Sequence, residues 1–145
     1  MGVMGSLVEL YIRQNNVLKE VTIMLRGVRG ATTIDINVRE MIMERVAELL
    51  VAMVAENGIN KEDVGAVIFS STPDLNSAFP AAAARIMGWS EVPLFGTQEA
   101  DIDFGLSLCV RILILWNTDK LQHEMKHVYL RGAAVLRPDI AKSVQ

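Results

Sequence analysis

The chain has 145 residues, 51% hydrophobic and 21% charged, which fits one folded domain and excludes intrinsic disorder as the main state. Its 14 basic and 17 acidic residues leave a net charge of −3; with no Lys/Arg run to track a phosphate backbone, nucleic-acid binding is disfavoured. Cys109 is the only cysteine, excluding an intrachain disulfide and multi-cysteine metal sites, and the longest unbroken apolar run, Leu49 to Ala55, is too short to span a bilayer.

Residues 1–23 read as an N-terminal extension: an added strand or helix, a weakly ordered arm, or sequence upstream of a true start at Met24. Scattered apolar residues there are interrupted by Glu9 and Arg13, without the basic start and clean apolar stretch of a signal peptide; a cytoplasmic location is the expectation. A domain over 24–139 and a tail over 140–145 follow. Met24 to Arg29 predicts a strand that Gly30 breaks. Asn37 and Glu40 have capping-box spacing, opening an amphipathic helix with Ile42, Val46, Leu49, Leu50, Met53 and Val54 on one stripe. Gly58 closes it as a C′ glycine. Ala66 to Phe69 predicts a buried strand bounded by the turn chemistry of Thr72-Pro73-Asp74. Pro80 suits a first helical turn, and Ala81 to Met87 a short helix ended by Gly88. Strands are predicted at Val92 to Phe95, Cys109 to Trp116 and His127 to Val135. This order argues α/β or α+β with a mixed sheet.

Arg111 stands alone in the apolar run Cys109 to Trp116. A strand this apolar is predicted to be covered on both faces, and a guanidinium there cannot shed its proton, so it needs a partner. That partner is either a carboxylate of the chain, Glu99 or Asp101, or an anionic ligand. Arg29 lies among Gly27, Val28 and Gly30, and Arg85 is the only charge in its short helix. Arginine outnumbers lysine nine to five, and arginine grips flat carboxylates by paired hydrogen bonds. An acidic chain with arginines in apolar strands points to a small anionic ligand.

His123-Glu124-Met125-Lys126-His127 spells H-E-x-x-H, a zinc-hydrolase pattern when carried on a helix. Here Val128-Tyr129-Leu130 reads as strand and Gly132 follows, so the helical context fails. The expectation is no metal, with a short helix capped by Asp119 leading into a strand. Cys109 reads as a core residue. Ser70, Ser71 and Thr72 lack a nucleophile elbow, and no glycine pattern signals a nucleotide.

Several segments together resemble the monofunctional AroH-class chorismate mutases. They are Arg26-Gly27-Val28-Arg29-Gly30-Ala31-Thr32-Thr33, Ser71-Thr72-Pro73-Asp74-Leu75, Phe79-Pro80-Ala81 with Arg85, Gly88-Trp89, Val92-Pro93, Gln98-Glu99 with Asp101, Cys109-Val110-Arg111, His127-Val128-Tyr129-Leu130, and Val135-Leu136-Arg137-Pro138-Asp139. The resemblance runs from Met24 to Asp139. It implies an α+β (α/β-like) fold: a mixed sheet with helices on one side, three copies closing into a pseudo-α/β-barrel. It also implies conversion of chorismate to prephenate on the route to phenylalanine and tyrosine, with no cofactor and no metal. The active sites would lie between subunits of a homotrimer, without nucleic-acid or membrane partners.

The chemistry gives those residues their parts. Chorismate is a dianion whose ether C–O bond breaks ahead of C–C formation, so negative charge builds on the ether oxygen. A fixed cation there, and a pocket that holds the enolpyruvyl arm over the ring, lower the barrier. By resemblance Arg111 serves the ether oxygen, Arg29 a carboxylate with the Tyr129 hydroxyl, and Glu99 the ring hydroxyl. Phe95, Gly96, Thr97 and Gln98 line the substrate, Leu136 is an apolar wall, and Phe79, Ala81 and Arg85 come from the neighbouring subunit. The chain departs from the pattern at Ala82, where a lysine is expected, at Phe95 and Gly96, where a small polar residue and a cysteine are usual, and at Phe104, in place of a glycine before Gly105. Two other classes stand against this reading: a zinc hydrolase built on His123, Glu124 and His127, and a non-catalytic trimeric binder of small acids.

Overall fold

A computed structural model of the chain describes residues 21–141; most of the predicted extension and tail lie outside them. Strand and helix alternate as far as β3, and the last three strands follow one another: β1 (Met24–Thr33), α1 (Arg39–Asn57), β2 (Val64–Ser71), α2 (Ala81–Ile86), β3 (Leu94–Gln98), β4 (Cys109–Thr118), β5 (Val128–Tyr129) and α3 (Pro138–Ala141). Short 3-10 turns lie at Lys61–Asp63, Gln122–Glu124 and Arg131–Leu136. The strands form one mixed sheet in the order β3-β2-β4-β1-β5. β4 runs antiparallel to both its neighbours, while β1–β5 and β2–β3 are parallel. The predicted mixed sheet with helices on one side is what forms.

The core lies between α1 and one face of this sheet. Ile42, Val46, Leu49, Leu50 and Met53 of α1 are fully buried, each contributing roughly 1.5–3 kcal/mol by leaving water. They meet Val28 of β1, Val67 and Phe69 of β2, and Val110, Ile112 and Ile114 of β4. These strand residues recur at every second position, so the intervening ones point to the opposite face. That face is the open one: in β4, Arg111 is exposed and Leu113 and Leu115 are only partly covered. The expectation that this strand is covered on both faces is therefore corrected for the single chain.

Four local expectations change for identifiable reasons. Gly30 does not end β1, which runs on to Thr33. It lies directly under α1, where a Cβ would collide with the Met53 sulfur and approach Leu49 Cδ1 to 3.1 Å, so the glycine serves helix–sheet packing. Asn37 does not cap α1. The N-cap is Val38, without a side-chain bond, and Asn37 Oδ1 instead accepts from the backbone N–H groups of Asn76 and Ser77, both at 3.2 Å. Strand β5 stops at Tyr129 because the chain turns into a 3-10 helix at Arg131, whose φ is +51°. The turn at Gln122–Glu124 is closed by the Glu124 carboxylate on the Leu121 N–H at 2.6 Å, not by Asp119. Gly58 ends α1 as expected, in the left-handed region at φ +67°. Asn57, 2% exposed, then joins α1 to the segment entering β5. Its Nδ2 donates to the Lys126 carbonyl at 2.8 Å and its Oδ1 accepts from the Lys126 N–H at 2.9 Å.

Asn57→Leu removes both bonds while keeping volume and leaves the part-buried N–H and C=O of Lys126 without their side-chain partner. It should lower the unfolding free energy by about 2–4 kcal/mol, read from urea denaturation. Gly30→Val should cost about 1–3 kcal/mol by overpacking against α1.

Candidate active site

The pairing register assembles the site on the open face. Across the sheet, Tyr129 on β5 lies beside Ala31 on β1, Ala31 opposite Arg111 on β4, Arg111 opposite Ser70 on β2, and Ser70 beside Thr97 on β3. One step along, Arg29, Leu113, Ile68 and Phe95 form a second row. Side chains of one row share a face, so five strands contribute to a single patch. A cavity of about 240 Å³ opens there, lined by Arg29, Ile68, Ser70, Glu99, Arg111 and Tyr129 among others.

Two cations and one carboxylate converge on it. Arg111 Nε lies 3.5 Å from Glu99 Oε1, the Arg111 side chain being 45% exposed and Glu99 27%. The carboxylate partner weighed for Arg111 is thus Glu99, yet nearly half of the Arg111 side chain still faces solvent and only Nε meets Glu99, leaving donors for a ligand. Glu99 is placed by its own backbone, since its N–H donates to the Ser71 carbonyl just past the end of β3. Arg29 is exposed on β1, and its backbone N–H donates to His127 Nδ1 at 2.9 Å. Tyr129 is buried in a small cluster with Ala31, Cys109 and Ala133, against which Leu136 packs. Cys109 is a core residue, its thiol pushed up by burial.

The remaining expected site residues do not join this cavity in the same chain. Phe79, Ala81, Arg85, Gly96 and Gln98 line a larger cavity of about 830 Å³, which Thr97 of the open-face row also borders because β3 is an edge strand. In register, Leu94 lies beside Val67, and Gly96 beside Phe69, both core residues, so this second cavity lies on the helix-covered side of the sheet. The sheet itself separates the two. Phe79 is 80% exposed at the mouth of the second cavity, and Phe95 is 66% exposed on the open face. Gly96 has open space around it. Arg39, at the start of α1, also lines the larger cavity and was not foreseen. Ile68 and Leu113 were also missed; counting two residues along each strand from Arg29 and Arg111 would have found Leu113.

The zinc pattern does not assemble. His123 sits in a 3-10 turn and His127 enters β5, so the pair does not share a helical face. Among the described residues no group of three or more His, Cys, Asp or Glu side chains is placed to hold a metal ion. No helix of the described residues is long and apolar enough to cross a membrane.

Comparison with known proteins covers the folded region as a whole. Chorismate mutase type I matches positions 25–140. The chain is 48% identical over 118 residues to chorismate mutase AroH of Thermus thermophilus, spanning 81% of this chain and 97% of that protein. It is 42% identical over 119 residues to chorismate mutase AroH of Bacillus subtilis (strain 168), spanning 81% and 94%. A solved structure of a chorismate mutase from Clostridium thermocellum superposes with a TM-score of 0.74 at 42% identity, covering 75% of this chain and 97% of that one. A mixed sheet with two arginines and a glutamate on its open face, joined to this degree of likeness along the whole folded region, means that the chain belongs to the type I chorismate mutases.

Proposed function

We propose that the chain converts chorismate to prephenate in the cytoplasm, as a homotrimer whose active sites lie between subunits. The observation that carries this is the convergence of Arg29, Glu99, Arg111 and Tyr129 on one cavity, with Arg111 held 3.5 Å from Glu99. A site for a carboxylate alone has no use for an acid beside its central cation. A substrate bearing carboxylates, an ether oxygen that gathers negative charge, and a ring hydroxyl uses both.

In this reading Arg111 meets the ether oxygen and one carboxylate with its fork of donors. Its charge is in place before the reaction begins, so no dipoles need to reorganise as the C–O bond lengthens. Glu99 orients Arg111 and accepts the ring hydroxyl. Arg29 and the Tyr129 hydroxyl hold a carboxylate, fixing the enolpyruvyl arm over the ring. The reaction is unimolecular, and no step in it calls for a metal, a nucleophile or a cofactor.

The arm Phe79-Pro80-Ala81 with Arg85 lies across the sheet from this cavity, so it completes a site only on a second copy. The open face offers a surface for that copy: Leu25 is 56% exposed and Phe95 66%, with Leu113 and Leu115 between them. Closure by the neighbour removes water from around Arg111 and strengthens its field.

Purified protein should consume chorismate and form prephenate with a chelator present. Arg111→Ala should lower kcat/KM by at least about 10²–10³-fold, and Arg111→Lys should recover only part, because a point ammonium cannot serve two oxygens in a fork. Binding of prephenate without turnover would leave a small-acid binder instead. A second test reads the shared site. Arg111→Ala and Arg85→Ala chains are each impaired alone; co-expressed, they should regain activity in about a quarter of the sites, since random closed assemblies bring intact halves together at that frequency. No recovery on mixing would place Arg85 in the same chain's site or outside catalysis.

A further inference from the structure

His127 belongs to the discarded zinc pattern, but it touches the substrate side of the molecule. Its Nδ1 accepts the Arg29 backbone N–H at 2.9 Å. That bond reaches from the residue just ahead of β5 to β1, next to the pairing of Gly30 with Val128 and Ala31 with Tyr129. It extends a two-residue strand by one more link, at the residue that presents Arg29.

We infer that His127 is a positioning residue for Arg29: the unprotonated Nδ1 pins the backbone of β1 so that the Arg29 guanidinium faces the cavity beside Arg111. The role rests on the reading of Arg29 as a carboxylate-binding residue. It requires the tautomer with the proton on Nε2. Protonation would turn Nδ1 into a second donor opposed to the Arg29 N–H and break the bond.

The surroundings keep the ring neutral. Charged groups on the elements around β5 are Arg26 and Arg29 on β1, Arg39, Glu40, Glu44, Arg45, Glu48 and Glu56 on α1, Arg131 on the 3-10 turn, Arg137 and Asp139 beyond it, and Lys126 beside His127 itself; Arg45 is held by Asp35, Glu44 and Glu48. Glu48 is taken up by Arg131 and Asp139 by Arg137, each pair at 2.9 Å. Burial, and then the guanidinium groups of Arg29 and Arg137, hold His127 below the usual histidine range. The bond is therefore present at neutral pH and is lost as pH falls through that lowered value.

Two variants separate positioning from bulk. Asparagine can place Oδ1 near the position of Nδ1 and does not titrate. His127→Asn should keep the neutral-pH KM within about twofold and lose the part of the acid limb of kcat/KM that His127 supplies. His127→Leu should raise the KM for chorismate about 3- to 10-fold, the effect of one lost hydrogen bond, with a smaller change in kcat. An unchanged KM in His127→Leu, or an acid limb in His127→Asn identical to that of the parent, would overturn the role. Nitrogen NMR on the intact protein gives a readout free of turnover. It should show an unprotonated Nδ1 at neutral pH and an Arg29 amide whose exchange is faster in His127→Leu than in His127→Asn. A protonated Nδ1, or equal Arg29 exchange in the two variants, would refute the bond itself. Failure of the parent protein to turn over chorismate, with the NMR result intact, would instead count against the proposed reaction.

Discussion

Arg111 sits on the central strand of the sheet, and a central strand can carry a charge only when its two faces meet different surroundings. On one face of β4, Val110, Ile112 and Ile114 are sealed under α1. On the other, one residue away, the guanidinium keeps contact with water and with Glu99. The period of two along an extended chain makes this division absolute. A shift of register by one residue would bury the charge and expose the core, so the packing of α1 and the placing of the cation are one constraint.

That constraint explains why the site draws on so many strands. A flat carboxylated ligand needs charges spread over several ångströms and pointing the same way. Adjacent strands, with partners in register, supply this spacing. The edge strands contribute differently. β5 is too short to be held by its own ladder, so it borrows fixings from Asn57, which binds both backbone groups of Lys126, and from His127 on Arg29. Beyond it, the paired Arg131–Glu48 contact ties the 3-10 turn to α1. The segment that carries Tyr129 is thus secured by side chains where secondary structure runs out.

Much of this was legible in the sequence, and the misses have physical causes. The stripe of α1 and its closing Gly58 were readable because a 3.6-residue period over five turns leaves few alternatives. Arg111 was readable as a charge in need of a partner, but its exposure was not: a run of apolar residues does not say whether the second face is covered within the chain or by another. Gly30 was mistaken for a stop because local preference cannot sense a helix stacked above it. Asn37 has cap chemistry, yet the loop at Asn76 and Ser77, distant in sequence, captured its side chain. The strand expected to reach Val135 ended at Tyr129, since apolar residues in a 3-10 turn look like strand until the turn at Arg131 is known. The separation of Phe79 and Arg85 from Arg111 by the sheet is a fact of topology, invisible to any reading of neighbours in sequence.

The order of the sheet also governs how the chain can be made. β1 is synthesised first, but its two neighbours are β4 and β5, the last strands to appear. Met24 waits for Thr118 and Thr33 for Cys109, so closing this ladder costs the entropy of a very long loop and folding is governed by distant contacts. Until β4 leaves the ribosome, β1 has two unsatisfied edges and could pair with any strand nearby. Its composition blunts that hazard: Arg26 and Arg29 add charge, and Gly27 and Gly30 weaken extended pairing between copies. The charges and glycines that β1 carries in the finished sheet thus also guard it while it is incomplete.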